Sequence, residues 1–167
     1  FDTDHPVAGR SVSNMGTKPL SVATLAHAEE SFGIACTIMQ EFKDEDGRPI
    51  SVMPNVLLVP PALRDTARRM MTSEKLEDGQ ANPYKGAAEV VVEPRLTSRT
   101  AWFLLDTSKP VLPFIYQERK APVFVQQTDP EADDVFNRKK YKFGAEARAA
   151  GGYGFWQLAY GSTGTGE

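Results

Sequence analysis

The stretch that most constrains the fold is Pro54–Met71, PNVLLVPPALRDTARRMM. Val56–Val59 supplies four consecutive apolar residues, too few for a helix, so they read as a short buried strand. Leu58 is expected in its buried centre, where an aspartate would abolish folding. Pro60 and Pro61 stop the strand. Proline is tolerated in the first turn of a helix, where the amide it lacks would be unpaired anyway. Leu63, Ala67, Met70 and Met71 then recur at helical spacing, with Arg64, Asp65, Arg68 and Arg69 on the other face. The unit predicts a strand in a sheet with a helix packed on it. It contains no pattern that points to chemistry.

Around this unit the chain alternates between pattern and punctuation. Residues 1–19, broken by Pro6, Gly9, Gly16 and Pro19, read as an irregular leading segment. Ser21 to about Gln40 is the longest helical pattern: Val22, Leu25, Phe32, Cys36 and Met39 form a stripe, helped by Ala28 and Ala35. Ser21 is the expected N-cap, because its hydroxyl can accept from an early helix amide. Lys43–Pro49, KDEDGRP, reads as a polar turn, and Ile50–Met53 as a short strand. Thr72–Gly86 is a 15-residue connection, longer than most, so it is expected to be either mobile or an interaction element.

Strands dominate the rest. Ala88–Val92 and Ala101–Leu105 are joined by an expected hairpin turn at Thr97–Arg99. Ala101–Leu105 is apolar throughout and is expected to be covered on both faces. Phe114–Gln117 and Val123–Gln126 flank a charged turn, Glu118–Lys120, and Thr128–Asp134 reads as an acidic loop. Tyr141–Arg148 alternates with period two, Tyr141, Phe143, Ala145 and Ala147 on one face, which predicts a half-buried strand. Gly151, Gly152 and Gly154 read as a tight turn before a last apolar strand, Phe155–Tyr160.

Composition narrows the class. A net charge of −3 argues against non-specific nucleic-acid binding by the whole chain. The lone Cys36 rules out an internal disulfide and suits a reducing compartment. No apolar run approaches the roughly 18–20 residues that cross a membrane, and no signal-peptide pattern opens the chain. It starts at Phe1 rather than Met, as a fragment or a processed product would.

Candidate sites dissolve on inspection. Asp2, Asp4 and His5 have metal-ligand chemistry, but Pro6 breaks the cluster and solvated carboxylates in a loop fit better. The carboxylates from Asp44 resemble the start of a calcium loop, yet its twelfth position is Asn55, not an acid. Cys36 lies on an apolar stripe and reads as a small buried hydrophobe, not a nucleophile. Arg138–Lys142, RKKYK, looks like a nucleic-acid patch, but Asp133, Asp134 and Glu146 dilute it to a solvated strand face. The closing GSTGTGE lacks a P-loop lysine. No catalytic, cofactor-binding or metal residue is assigned, no cofactor is expected, and no enzymatic activity is read.

Taken in order, FDTDHPVAG, GTKPLS, DEDGRPISVMPNVLLVPPAL, NPYKG, EVVVEPRL with WFLLD, PFIYQERKAPVFV and VFNRKKYKFGAEARAAGGYGFWQLAYGS resemble the major head subunit (gpT-like major capsid protein) of Mu-like phages and prophages. The resemblance runs nearly end to end. It implies an α+β fold of the tailed-phage major capsid, Hong Kong 97 type. Residues 1–19 would lead in, 20–128 would form mainly the axial lobe, and 129–167 the later strands of the peripheral lobe. The N-terminal arm, extended hairpin and long spine helix of that family would lie outside this chain. The implied function is a structural subunit that self-assembles into pentamers and hexamers of an icosahedral head enclosing the DNA genome. Its implied partners are copies of itself and other head proteins, with DNA enclosed without specific recognition and no membrane. Assembly would take place in the bacterial host cytoplasm, and the product would be the virion. The Thr72–Gly86 loop and the Lys43–Pro49 turn are the expected axial contacts. The alternatives are a nanocompartment shell protein of the same fold, or a small α+β enzyme or ligand-binding module.

Overall fold

The leading segment is more ordered than its punctuation suggests. His5–Val7 (β1) and Arg10–Val12 (β2) pair antiparallel, and Met15–Gly16 (β3) joins the main sheet. A computed structural model describes residues 1–7 and 9–166. One continuous helical run follows: Leu25–Ala28 (α1), a π turn at Glu29–Gly33, and Ile34–Gln40 (α2). Thr24, not Ser21, is its N-cap; the Thr24 hydroxyl accepts from the His27 amide at 3.2 Å. Ser21 lies outside the helix, its Oγ accepting from the Ala23 amide at 3.3 Å. The expected stripe faces inward: Val22, Ala28, Phe32, Ala35 and Met39 are buried, with Leu25 and Cys36 half-buried.

Val56–Val59 is a strand (β4), then Pro61–Leu63 makes a 3-10 turn into the helix Arg64–Thr72 (α3). Further along come Glu89–Val92 (β5), Trp102–Leu105 (β6), Phe114–Gln127 (β7), Asp133–Arg138 (α4), Lys142–Tyr153 (β8) and Ala159–Ser162 (β9). Ile50–Met53 forms no strand. The main sheet has the order β3-β9-β6-β4-β5. β4 runs parallel to β5 and antiparallel to β6. β5 and β6 are therefore not a hairpin: β4 lies between them, and the Thr97–Arg99 region belongs to a crossing connection.

Register decides which side chains form the core. Leu57 pairs with Leu104, Leu104 with Tyr160, and Leu57 with Val90, so these share a face with Val59 and Trp102. That face, α3 and the α1–α2 run form one apolar cluster. Fully burying each large side chain in it stabilises the fold by about 1.5–3 kcal/mol. Leu58 points the other way, opposite Phe103, and both are only half-buried. The expected buried centre of the strand is thus Leu57 and Val59. β6 is covered fully on its core face, and on the other face Leu105 is buried while Phe103 is not. The Phe1 ring lies 5.0 Å from the Phe103 ring. Beyond the 3-10 turn Trp156–Leu158, only Ala159 and Tyr160 of the expected last strand are extended in the sheet.

The chain divides into two units: Phe1–Pro113 with Gly154–Glu167, and Phe114–Tyr153. A boundary after residue 128 is not where this division falls. In the second unit β7 is one 14-residue strand, and the expected charged turn at Glu118–Lys120 is a bulge within it. Its partner β8 carries Gly151 and Gly152 inside the strand rather than in a turn. The acidic loop passes into α4, whose last residue is followed by Lys139 at φ 54°. The period-two pattern of Tyr141–Arg148 is right, but every residue of β7 and β8 is exposed rather than half-buried.

Candidate functional site

The Thr72–Gly86 connection is clamped rather than mobile. Asn82 is buried; its Nδ2 donates to the Met70 carbonyl at 2.7 Å and the Ser73 carbonyl at 2.9 Å, and its Oδ1 accepts from the Tyr84 amide at 3.0 Å. Carbonyls at a helix end have no partner within the helix, so Asn82 caps α3 from the loop. The Gly86 amide completes this by donating to the Met71 carbonyl at 2.8 Å. Leu76 enters the core, and the Tyr84 ring packs edge-on to Phe32 at 5.2 Å. Gly33 admits that ring: a Cβ there would lie 2.2 Å from the Tyr84 hydroxyl. Tyr84 has a raised pKa, from burial first and then the nearby Glu29 and Cys36 charges.

The loop also reaches the start of α1. Asp78 Oδ2 accepts from the Leu25 amide at 2.9 Å, and Oδ1 from the Gln80 amide at 3.0 Å. Those bonds, Gln80's first, hold its pKa below the usual value. The exposed remainder of the loop carries two surface pairs, Arg69–Glu77 and Lys85–Glu74. Exposed pairs of this kind add little stability.

The Lys43–Pro49 turn has the expected geometry. Lys43 bridges Pro49, Gly47 has φ 79°, and Asp44 Oδ1 accepts from the Arg48 amide at 2.7 Å. It borders two open grooves of the first unit. One, about 850 Å³, is lined by Val7, Val12, Phe42 and Trp156. The other, about 640 Å³, is lined by Ile50, Val111, Phe155 and Gln157. Gln157 Oε1 is buried with no hydrogen-bond partner among the described residues. None of the groups with shifted pKa values lines either groove.

The other sequence candidates have structural placements. His5 stacks on Trp156 at 4.1 Å and shares the Asn14 Oδ1 acceptor with the Asp2 amide. Buried Asn14 donates in turn to the Trp156 and Ala159 carbonyls, which fastens the leading segment beside β9. Asp2 Oδ1 accepts from the Thr3 and Asp4 amides. Burial pushes the Cys36 thiol up to about 11, so it is protonated at neutral pH. Sequence reasoning missed Asp106. It is fully buried, accepting from the Met53 amide at 2.8 Å and from the Ser108 amide and hydroxyl at 2.8 and 2.5 Å. Burial raises its pKa, but these bonds and the Lys109 charge outweigh that and leave it lowered.

The second unit is two-faced. Phe114, Tyr116, Phe124, Phe143 and Tyr153 share one face with Ala145, Ala147 and Ala149, and these rings are 49–84% exposed. Glu118, opposite Ala149, lies on that face too; the other face carries Lys120, Glu146 and Arg148, with Glu146 paired to both cations, beside exposed Ile115, Val123 and Val125. The family model for the Mu-like prophage major head subunit gpT matches residues 20–96 and 97–166. The chain belongs to this family. The resemblance drawn from the ordered stretches is therefore borne out, and the observed class is the expected α+β.

Relatives of this Mu-like gpT chain include the Mu-like prophage FluMu major head subunit of Haemophilus influenzae. It is 46% identical over 65 residues, covering 39% of the chain and 21% of that protein. The major capsid protein of Escherichia phage Mu is 32% identical over 139 residues, covering 78% of the chain and 44% of that protein. The chain thus spans less than half the length of either relative. Among solved structures, it is similar to the capsid of bacteriophage JBD30, at 25% identity and a TM-score of 0.41, covering 44% of this chain and 25% of that one. The procapsid of the same phage matches at 30% identity and a TM-score of 0.32, covering 60% and 38%.

Proposed function

We propose that this chain is part of the major head subunit of a phage or prophage, a structural protein whose copies assemble into an icosahedral shell around DNA. The family match over residues 20–166 carries this reading. On it, the first unit is the main part of the axial lobe and the second unit holds strands of the peripheral lobe in a Hong Kong 97 type fold. The subunit forms pentamers and hexamers, with other head proteins as further partners. It encloses the genome without specific recognition, assembles in the host cytoplasm and ends in the virion.

The exposed ribbon supports a shell-forming role. A two-stranded ribbon is at best marginally stable alone, and several exposed aromatic rings on one face mark an interaction surface. Weak contacts repeated around closed rings give a stable shell through multivalency. Sedimentation velocity of the full-length subunit tests this. The expected result is discrete capsomers or shells; a species that stays monomeric at every protein and salt concentration contradicts it.

A further inference from the structure

The main sheet ends on an unpaired strand. In the order β3-β9-β6-β4-β5, β5 pairs with β4 on one side and with no strand on the other among the described residues. The Glu89 amide donates to the Asn55 carbonyl at 2.8 Å, and the Glu93 amide to the Val59 carbonyl at 3.0 Å. Alternate residues of a strand turn their backbone groups to opposite sides, so the amides and carbonyls of Val90 and Val92 point away from β4. They bond to no other group among the described residues. Natural edges are commonly blunted by lysine, proline or a bulge, and β5 carries none of these. Val91, between Glu89 and Glu93 on one face of the strand, is 38% exposed.

We propose that β5 is a strand-addition site: an extended segment of another head protein pairs with its open edge, with basic residues opposite Glu89 and Glu93 and apolar residues between them. Four outward backbone groups in a row specify an extended chain, and the flanking carboxylates specify its charge. A second copy of β5 does not fit. The antiparallel register that uses all four groups of both copies sets Glu89 against Glu93 twice, and like charges directly opposite are destabilising. The glutamates thus keep the edge from pairing with itself while leaving it open to a basic strand. The identity of the partner rests on the head-subunit reading; the open edge does not.

Peptide binding to the full-length subunit, followed by fluorescence anisotropy, tests it. The probe is a labelled peptide with a valine–threonine–valine core between two lysines, and its counterpart has glutamates in their place. The lysine peptide is expected to bind about tenfold more tightly than the glutamate peptide. Val92→Pro removes an amide that faces away from β4, a position where an edge strand tolerates proline. It should weaken the lysine peptide by about tenfold, with circular dichroism unchanged. Glu89→Lys with Glu93→Lys leaves the backbone groups in place and should reverse the preference between the two peptides. Equal binding of both peptides to wild type overturns the proposal, as does a folded Val92→Pro variant that binds like wild type or a charge reversal that leaves the preference unchanged. No binding to wild type, as when another part of the subunit already pairs with β5, overturns it as well. Assembly is read separately by sedimentation, so failure of the edge and failure of the head-subunit reading are distinguishable.

Discussion

Asn82→Ala is the sharpest test of the clamped loop. The substitution removes two donations to carbonyls at the end of α3 and one acceptance from the Tyr84 amide. A buried hydrogen bond contributes about 0.5–1.5 kcal/mol, and an orphaned buried group costs more than its bond was worth. Three bonds at a buried site give an expected loss of about 3 kcal/mol. For a domain of this size that lowers the melting temperature by roughly 6–12 °C. Equilibrium urea unfolding, followed by the fluorescence of buried Trp102, measures it. Asn82→Asp, which keeps an acceptor but sets a carboxylate against two carbonyl oxygens, should be at least as damaging at neutral pH. A loss below about 1 kcal/mol in Asn82→Ala would show that the loop is not held by this side chain.

Three further outcomes follow from burial and register. Leu57→Asp should leave no folded protein, a cost of about 5 kcal/mol or more, while Leu58→Asp should cost about 2 and remain folded; soluble expression and circular dichroism separate them, and equal effects would invert the register argument. The thiol of Cys36 should resist a disulfide reagent at pH 8, where a pKa of about 11 leaves only about one molecule in a thousand ionised, and react readily in denaturant; equal rates would contradict the burial. Stability should fall in acid because Asp106 and Asp78 have pKa values lower folded than unfolded. Their ionised forms stabilise the fold above about pH 4, and that contribution fades as pH drops through and below this value. Asp106→Asn should flatten the acid limb of a stability–pH profile, and an unchanged limb would remove Asp106 from the account.

Much of the first unit was legible because its signals are local. Val56–Val59 ends at a proline pair, and the Leu63, Ala67, Met70 and Met71 stripe needs only 3.6-residue spacing. What failed to show was set by distant partners. The strand order that separates β5 from β6 is set by β4, which comes some thirty residues before β5 and pairs with both. The orientation of Leu58 follows from pairing, since an unbroken apolar run does not say which alternate side chains face the helices. Thr24 wins the N-cap over Ser21 because Asp78 of the distant loop fixes the helix start at Leu25. Asn82 and Asp106 look like ordinary polar loop residues until the carbonyls and amides they satisfy are assembled around them. The second unit misled in the opposite sense: its alternation is real, yet it has no cover among the described residues. The absence of reactive groups in Pro54–Met71 fits a purely structural scaffold.

Electron microscopy of the full-length subunit, alone and with co-expressed head proteins, is the decisive measurement of assembly. Closed shells or five- and six-membered rings are expected, with the first unit gathered at the ring axes in the reconstructed density. Well-folded single subunits in every preparation would contradict it.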